Sequence, residues 1–330
     1  MIRGSEYLSS IHEVKTSLSN EGEGMEIKIY FLGTSAGVPT KDRNVSSILL
    51  VRKGEQIFFD FGEGTQKQLF KLGLGFRRKL KIFITHMHGD HIFGLPPLLQ
   101  TLSLFKRQDP LYVYGPKPLK DFIDYFITFM NVEPEYKIVF NEVNDGKKFE
   151  FPEYYVQAIK SDHDDFSYSY IFKEYDRPGR FNRALAEELN IPRNLWGPLS
   201  KGRDIEWNGK IYRAGDFFIP PPIRGRKIVY TGDTRPLESL IDYAYGADVL
   251  IHEATYTDKY IDRGLANKHS TAREAAEIAL KSNVKILVLT HFSARYSNTD
   301  ELLAEARKVF PSTFLAKDLE FIEIPYVKPS

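Results

Sequence analysis

Three imidazoles and a carboxylate crowd into one hexapeptide, His86-Met87-His88-Gly89-Asp90-His91, directly after the apolar run KIFIT. Neutral imidazole and carboxylate are good ligands for zinc and similar divalent ions. A tight turn can aim His86 and His88 at one ion and Asp90 and His91 at a neighbouring one. A lone histidine at a strand end is more often packing than chemistry; a cluster of this density is not explained by packing. Further donors of the same types end other strand-like runs: His163 in AIKSDHDD, Asp233 in VYTGDTRP and His291 in VLTHFSARY. Singly, each reads as readily as a core or surface residue. Jointly they supply enough ligands for two ions, with Asp233 able to bridge, because strand ends of an α/β sheet bring their loops to a common edge. The chain has no cysteine, so thiolate sites and disulfides are excluded, and the donor set favours a catalytic over a structural ion.

Such donors need a scaffold. With 330 residues, 42% of them hydrophobic, the chain suits one large α/β domain or two modest ones. Short β-rich runs (IKIYFLG, SSILLVR, QIFFDFG, KIFIT, PLYVYG, KIVYTG, ADVLIHEA, VKILVLTHF) interleave with helical patterns (GEGTQKQLFKLGL, LPPLLQTLSLF, KPLKDFIDYFITFM, TAREAAEIALKSN, ELLAEARKVF). Ser270 and Thr271 stand where N-caps of TAREAAEIAL belong. Residues 1–24 are polar and aperiodic and read as a flexible extension, with Met25 a second candidate start. The alternation fails over residues 173–222, which hold Pro178, Pro192, Pro198, Pro220, Pro221 and Pro222 and one short helical stretch, NRALAEELN. An irregular segment of this length reads as an insertion projecting from the core, with Trp196 and Trp207 packing its base.

Charge and hydropathy narrow the function classes. The formal net charge is +1, too small for a protein that coats nucleic acid unspecifically, so any such binding must come from local patches. Basic clusters occur at Arg77–Lys81, at Arg177, Arg180 and Arg183, and at Arg224–Lys227; each alone reads as a solvated face. No apolar run is long enough to span a membrane, and the N-terminal segment lacks a signal-peptide core, so no membrane partner and a cytoplasmic location are expected.

The H-x-H-x-D-H element resembles the mark of the metallo-β-lactamase superfamily. FLGTSAGVPTKDRNVSS, FFDFGEGTQ, ITHMHGDHIFGLPPLL, YTGDTRP, IHEATY, KHST and LTHFSARY, in this order, look closest to ribonuclease Z, the family of endonucleases that trim the 3′ end of precursor tRNA. The resemblance covers nearly everything from residue 25 onward, and the later motifs are more specific than the first. It implies an αββα sandwich over residues 25–330, with an exosite arm at about 173–222 that clamps the tRNA elbow. It implies two zinc ions per subunit, one held by His86, His88, His163 and Asp233, the other by Asp90, His91, Asp233 and His291. It further implies a homodimer in which one subunit's arm can serve the other's active site; LPPLLQTLSLF is an interface helix on this reading, though core packing explains its pattern equally well.

The chemistry expected of such a site assigns Asp90 to accept a proton from water and His269, in KHST, to protonate the leaving 3′-oxygen, with Glu253 on its other ring nitrogen. His252, one residue before Glu253 in a strand, faces the other way and is structural. The resemblance implies that the loop carrying Lys41, Arg43 and Asn44 lies beside the scissile end. Ser293, Arg295 and Tyr296 are expected to bind a phosphate or stack on a base, and Arg180 and Arg183 to grip backbone phosphates from the arm. Two other readings compete: a small-molecule phosphodiesterase, arylsulfatase or lactonase on the same scaffold, and a noncatalytic RNA-binding or dimer-supporting subunit. The arm-like insertion and the HEAT and HST motifs favour the nuclease; the complete donor set disfavours the subunit.

Overall fold

The structure is a computed structural model that describes residues 25–326. The flexible extension expected at 1–24 lies outside the described residues. Fourteen strands build the two large sheets. In chain order they are β1 (Ile27–Gly33), β2 (Ser47–Arg52), β3 (Glu55–Phe59), β4 (Leu80–Phe83), β5 (Leu111–Gly115), β6 (Ile138–Glu142), β7 (Lys148–Glu150), β8 (Tyr154–Lys160), β9 (Tyr168–Glu174), β10 (Lys227–Tyr230), β11 (Val249–Glu253), β12 (Ile286–Thr290), β13 (Thr313–Leu315) and β14 (Phe321–Ile324). The first sheet has the order β14-β1-β2-β3-β4-β5-β6, and the second β13-β12-β11-β10-β9-β8-β7. Pairing is antiparallel around β1 and β2 and parallel from β3 to β6. The second sheet mirrors this, antiparallel from β7 to β10 and parallel from β10 to β13.

Period-2 alternation decides which side chains meet. Ile57 and Phe59 of β3, Phe83 of β4, Ile228 and Tyr230 of β10 and Val249 and Ile251 of β11 point between the sheets and form one core. Their neighbours Phe58 and Ile82 face outward onto α1 (Thr65–Lys71), α3 (Leu95–Leu104) and α4 (Pro118–Phe129), burying Leu69, Leu98, Leu102 and Leu119. α2 is the short turn Gly89–Ile92. On the opposite side, Val229 and Leu250 pack on helices that lie after residue 237 in the chain. The result is the αββα sandwich expected. Pro96 and Pro118 stand in the first turns of α3 and α4, where a missing N–H costs nothing.

Between β9 and β10 the chain leaves the sheets. Here α5 (Arg183–Glu188), capped by the Asn182 side chain, is joined by a second helix, α6 (Arg193–Ser200), and by two-stranded ribbons at 180–181/218–219 and 205–207/210–212. Ala186, Ile191, Leu199, Ile205, Ala214 and Phe217 form a small core of their own. The sequence reading expected only one helix here. Pro198 within α6 hides the second, since proline argues against helix interiors, whereas packing of Leu199 supplies the compensation. Trp196 is half-buried and donates Nε1 to the Ile191 carbonyl.

The remaining helices are α7 (Glu238–Ala244), α8 (Ile261–Asn267), α9 (Ala272–Lys281) and α10 (Asp300–Arg307). Thr271 caps α9 in a reciprocal box with Glu274. Ser270, the other cap candidate, instead donates to the Thr234 carbonyl.

Candidate metal centre and active site

All seven donors converge at one edge of the sandwich, from the loops after β4, β8, β10 and β12. His86 and His91 are fully buried, while His163, Asp233 and His291 are nearly so. His88 is exposed and opens the cluster to solvent. His86 Nε2 lies 3.0 Å from His88 Nδ1, and His163 Nε2 lies 3.2 Å from the same atom. Burial first, then neighbouring imidazoles, push His86 well down and His88 down in pKa, so these rings are neutral and several lone pairs face one point.

On the other side, Asp90 Oδ2 is 3.4 Å from His91 Nε2 and 3.5 Å from His291 Nε2. Asp233 stands between the sets. Its Oδ2 is 3.7 Å from His86 Nε2, 3.4 Å from His91 Nε2 and 3.9 Å from His163 Nε2, and its Oδ1 is 3.3 Å from His291 Nε2. Nitrogen and oxygen ligands at about 2.0–2.1 Å in a tetrahedron stand roughly 3.3 Å apart, which is the spacing seen. His91 Nε2, His291 Nε2 and Asp233 Oδ1 are buried without a hydrogen-bond partner, an arrangement that costs free energy unless a cation meets them. Burial opposes charge on His91, yet Asp233, Asp90 and Asp60 outweigh it and push its pKa well up: the carboxylates around this ring call for positive charge. The residues fit a metal ion on both sides of Asp233.

Orientation comes from behind. Thr85 Oγ1 meets His86 Nδ1 at 2.9 Å, the Lys268 carbonyl meets His163 Nδ1 at 3.0 Å, and Thr255 Oγ1 meets His291 Nδ1 at 2.9 Å. Each contact fixes a ring and leaves Nε2 for the cluster. Beside it, His269 donates Nδ1 to Glu253 Oε1 at 2.8 Å. Burial pulls the His269 pKa down, but the Glu253 carboxylate more than offsets this and holds it at about 9. Glu253 is itself fixed by the Thr234 amide at 2.9 Å and Thr255 Oγ1 at 2.6 Å. His269 also groups with Asp233 and His291, with side-chain donor atoms within 4.8 Å of one another.

Comparison with known proteins agrees with this architecture. A family model described as "Anti-Pycsar protein Apyc1" matches residues 27–175, and one described as "Beta-lactamase superfamily domain" matches residues 215–292. Ribonuclease Z of Methanosarcina mazei is 39% identical over 302 residues, covering 91% of this chain and 99% of that one. Ribonuclease Z of Nitrosopumilus maritimus is 41% identical over 299 residues, covering 90% and 100%. Among solved structures, human tRNase Z, short form, aligns with a TM-score of 0.67 at 30% identity, over 91% of this chain and 100% of that one. The chain belongs to the ribonuclease Z family.

The surroundings of the cluster divide the expected substrate contacts. Lys41 is exposed at the tip of the loop after β1. Arg43, in the same loop, is engaged otherwise: its Nη2 donates to the Ser293 carbonyl at 3.3 Å and the Tyr296 carbonyl at 2.8 Å. Asn44 likewise braces the loop, donating Nδ2 to the Glu63 carbonyl at 2.8 Å. Tyr296 is buried, and its hydroxyl accepts from the Thr257 amide at 2.9 Å, so it offers no ring face for a base; the aromatic belongs to the core. Arg295 Nε donates to Ser293 Oγ at 3.0 Å, and its guanidinium stacks 4.5 Å over Tyr260. Arg180 and Arg183 are exposed in the segment between β9 and β10, away from the cluster's own loops. His252 is fully buried, with Nδ1 on the Glu253 carbonyl at 2.7 Å.

Sequence reasoning passed over Asp60. Its carboxylate, completely buried, meets His91 Nδ1 at 2.8 Å, the Thr85 amide at 2.7 Å and the Tyr230 hydroxyl at 2.8 Å. A carboxylate on the far nitrogen of a ligand histidine orients the ring and raises its basicity. The available signal was an aspartate ending the otherwise apolar run QIFFDFG, which an apolar core does not accept without a partner.

Proposed function

We propose that the chain is a zinc-dependent endoribonuclease that removes 3′ trailers from precursor tRNA, leaving a 3′-hydroxyl on the tRNA and a 5′-phosphate on the trailer. The observation that carries this is a match to ribonuclease Z relatives over nine-tenths of the chain with seven spaced donors and a Glu253–His269 pair at one edge. Two zinc ions, one held by His86, His88, His163 and Asp233 and one by Asp90, His91, Asp233 and His291, would supply a nucleophile at neutral pH and neutralise charge on the phosphoryl oxygens. Asp90, turned toward the cluster by the Gly37 amide at 2.8 Å, takes a proton from the attacking water. His269 delivers its Nε2 proton to the leaving 3′-oxygen, and Glu253 stabilises the charged ring. Exposed Lys41 and Arg295 meet the phosphates flanking the cut, with Ser293 holding Arg295.

The segment at about 173–222 is the exosite arm on this proposal, with Arg180 and Arg183 on the tRNA backbone, where charge reads shape rather than sequence. A homodimer is supported by Phe93, Leu104, Phe105, Tyr125 and Phe129, large apolar side chains left exposed on and around α3 and α4. A cytoplasmic location belongs to the same proposal; no helix among the described residues is long and apolar enough to cross a membrane. The deciding experiment maps products on a 3′-extended tRNA with and without chelator, beside bis-p-nitrophenyl phosphate. Cleavage at the trailer junction that chelator abolishes is expected; hydrolysis of the small ester alone would return the protein to the phosphodiesterase class. Deleting residues 178–219 should weaken tRNA processing and spare the small ester.

A further inference from the structure

One carboxylate far along the chain reaches the active-site edge. Asp318, between β13 and β14, accepts from Thr34 Oγ1 at 2.8 Å on one oxygen, and from the Asn44 amide at 2.7 Å and Gln68 Nε2 at 2.9 Å on the other. Thr34 and Asn44 are the two ends of the loop that follows β1, and Gln68 lies on α1. The carboxylate therefore closes the neck of the loop, where Ser35 also donates its amide to the Asn44 carbonyl at 2.8 Å. Beyond the neck the loop has little packing. Gly37, Val38 and Pro39 are exposed, and a side chain added at Gly37 would meet nothing within 4 Å. Polar contacts hold its shape: those at the base, the Ser35 hydroxyl on the Val38 carbonyl at 2.8 Å, and Arg43 on the Ser293 and Tyr296 carbonyls.

That shape matters at one atom. The Gly37 amide donates to Asp90 Oδ2 at 2.8 Å, the same oxygen that faces His91 Nε2 and His291 Nε2. Gly37 has φ of +71°, a conformation that glycine adopts without strain and that aims its N–H at the carboxylate. The neck is also tied to the other side of the site, since the Thr34 carbonyl accepts from the Phe292 amide at 2.8 Å, next to His291.

We propose that Asp318 is a positioning residue for Asp90: by closing the loop after β1 it holds the Gly37 amide on the Asp90 carboxylate and so sets how that carboxylate is turned. The inference rests on the reading of Asp90 as ligand and proton acceptor. Partners that orient a ligand typically contribute about 10–100-fold in metal affinity or activity.

Asp318→Asn keeps the shape but replaces a charged acceptor of three donors by a neutral amide, whose NH2 must turn either onto the Asn44 and Gln68 donors or onto Thr34 Oγ1, which then has to accept. The expected result is that zinc is stripped at about 10–100-fold lower chelator concentration, and that kcat falls by a similar factor on both 3′-extended tRNA and bis-p-nitrophenyl phosphate, with KM for the small ester unchanged. A lowered Tm with unchanged zinc retention and kcat would make Asp318 merely structural and overturn the proposal. Loss confined to tRNA would also overturn it, because the loop would then act on RNA and not through Asp90. Should Asp318→Asn fail to fold, Thr34→Val removes the Oγ1 donor from the same neck contact while keeping the side-chain shape, and the same weaker zinc retention is expected. Asp90→Ala is the control for the underlying reading: if it keeps zinc and turnover, the role of Asp90 fails; if it loses them while Asp318→Asn and Thr34→Val do not, only the present inference fails.

Discussion

The two ends of the sandwich both bury charge, and they handle it in opposite ways. At the end away from the cluster, Glu174 closes β9 and meets Arg226 Nε at 2.7 Å, Arg226 Nη2 at 2.8 Å and Arg52 Nη2 at 3.1 Å, while Lys81 pairs with Glu55. The Arg52, Arg226 and Glu174 side chains are 5–7% exposed. Arg226 also donates to the Ile324 carbonyl at 3.0 Å, which ties the last strand to the second sheet. Here carboxylates meet guanidinium and ammonium groups of the chain itself. At the cluster end, carboxylates meet imidazoles whose second nitrogens are already committed, and the unpartnered buried atoms are donor atoms aimed at one another, His91 Nε2, His291 Nε2 and Asp233 Oδ1. At the far end Arg52 Nε and the Tyr154 hydroxyl are unpartnered too, but there the guanidinium charge is met by carboxylates of the chain. A charge network closed within the chain is architecture; one that needs a cation from outside is a site.

The largest test of that difference is Asp233→Ala. It should remove zinc and turnover together, whereas no closed-end substitution should alter zinc content in the folded fraction; elemental analysis and tRNA cleavage read both. Next is His269→Ala. Although it lies at the cluster end, His269 is already paired with Glu253, so its loss should leave zinc content unchanged and lower kcat by about 10²–10⁴. A drop in bound zinc would instead make it a ligand.

At the closed end, Glu174→Ala leaves the Arg226 guanidinium buried without a carboxylate, while Arg52 keeps Glu153 at 2.9 Å. It should cost about 3–5 kcal/mol in urea unfolding, with kcat of the folded enzyme unchanged. The smallest effect is in pH. Burial tends to raise the Glu174 pKa, but Arg226 and Arg52 lower it to about 2, below the unfolded value of about 4.3. Its contribution is therefore present above the unfolded pKa and lost as pH falls through the folded one. Unfolding followed between pH 5 and 2 should show a decline in the natural protein that is weaker in Glu174→Gln; identical slopes would remove Glu174 from the acid limb.

Much of this was local enough to read without coordinates. The donors of the H-x-H-x-D-H turn are neighbours, so their spacing already confines them. The strand runs and α9 with its Thr271 cap declare themselves within a dozen residues, because periodicity and capping are short-range effects. The chain's lack of cysteine decided the donor chemistry outright.

What no window of sequence contains is the partner across the fold. Asp60 meets Tyr230 at a separation of 170 residues, and Thr34 meets Asp318 at 284; sheet register and packing choose such pairs, and residue type only permits them. The same holds for Arg43 and Tyr296, whose types suit RNA but whose groups the fold engages internally. Sequence thus determined which groups were available for chemistry, and tertiary structure decided which of them remained free to perform it, because a hydrogen-bonding group buried against one partner is no longer open to another.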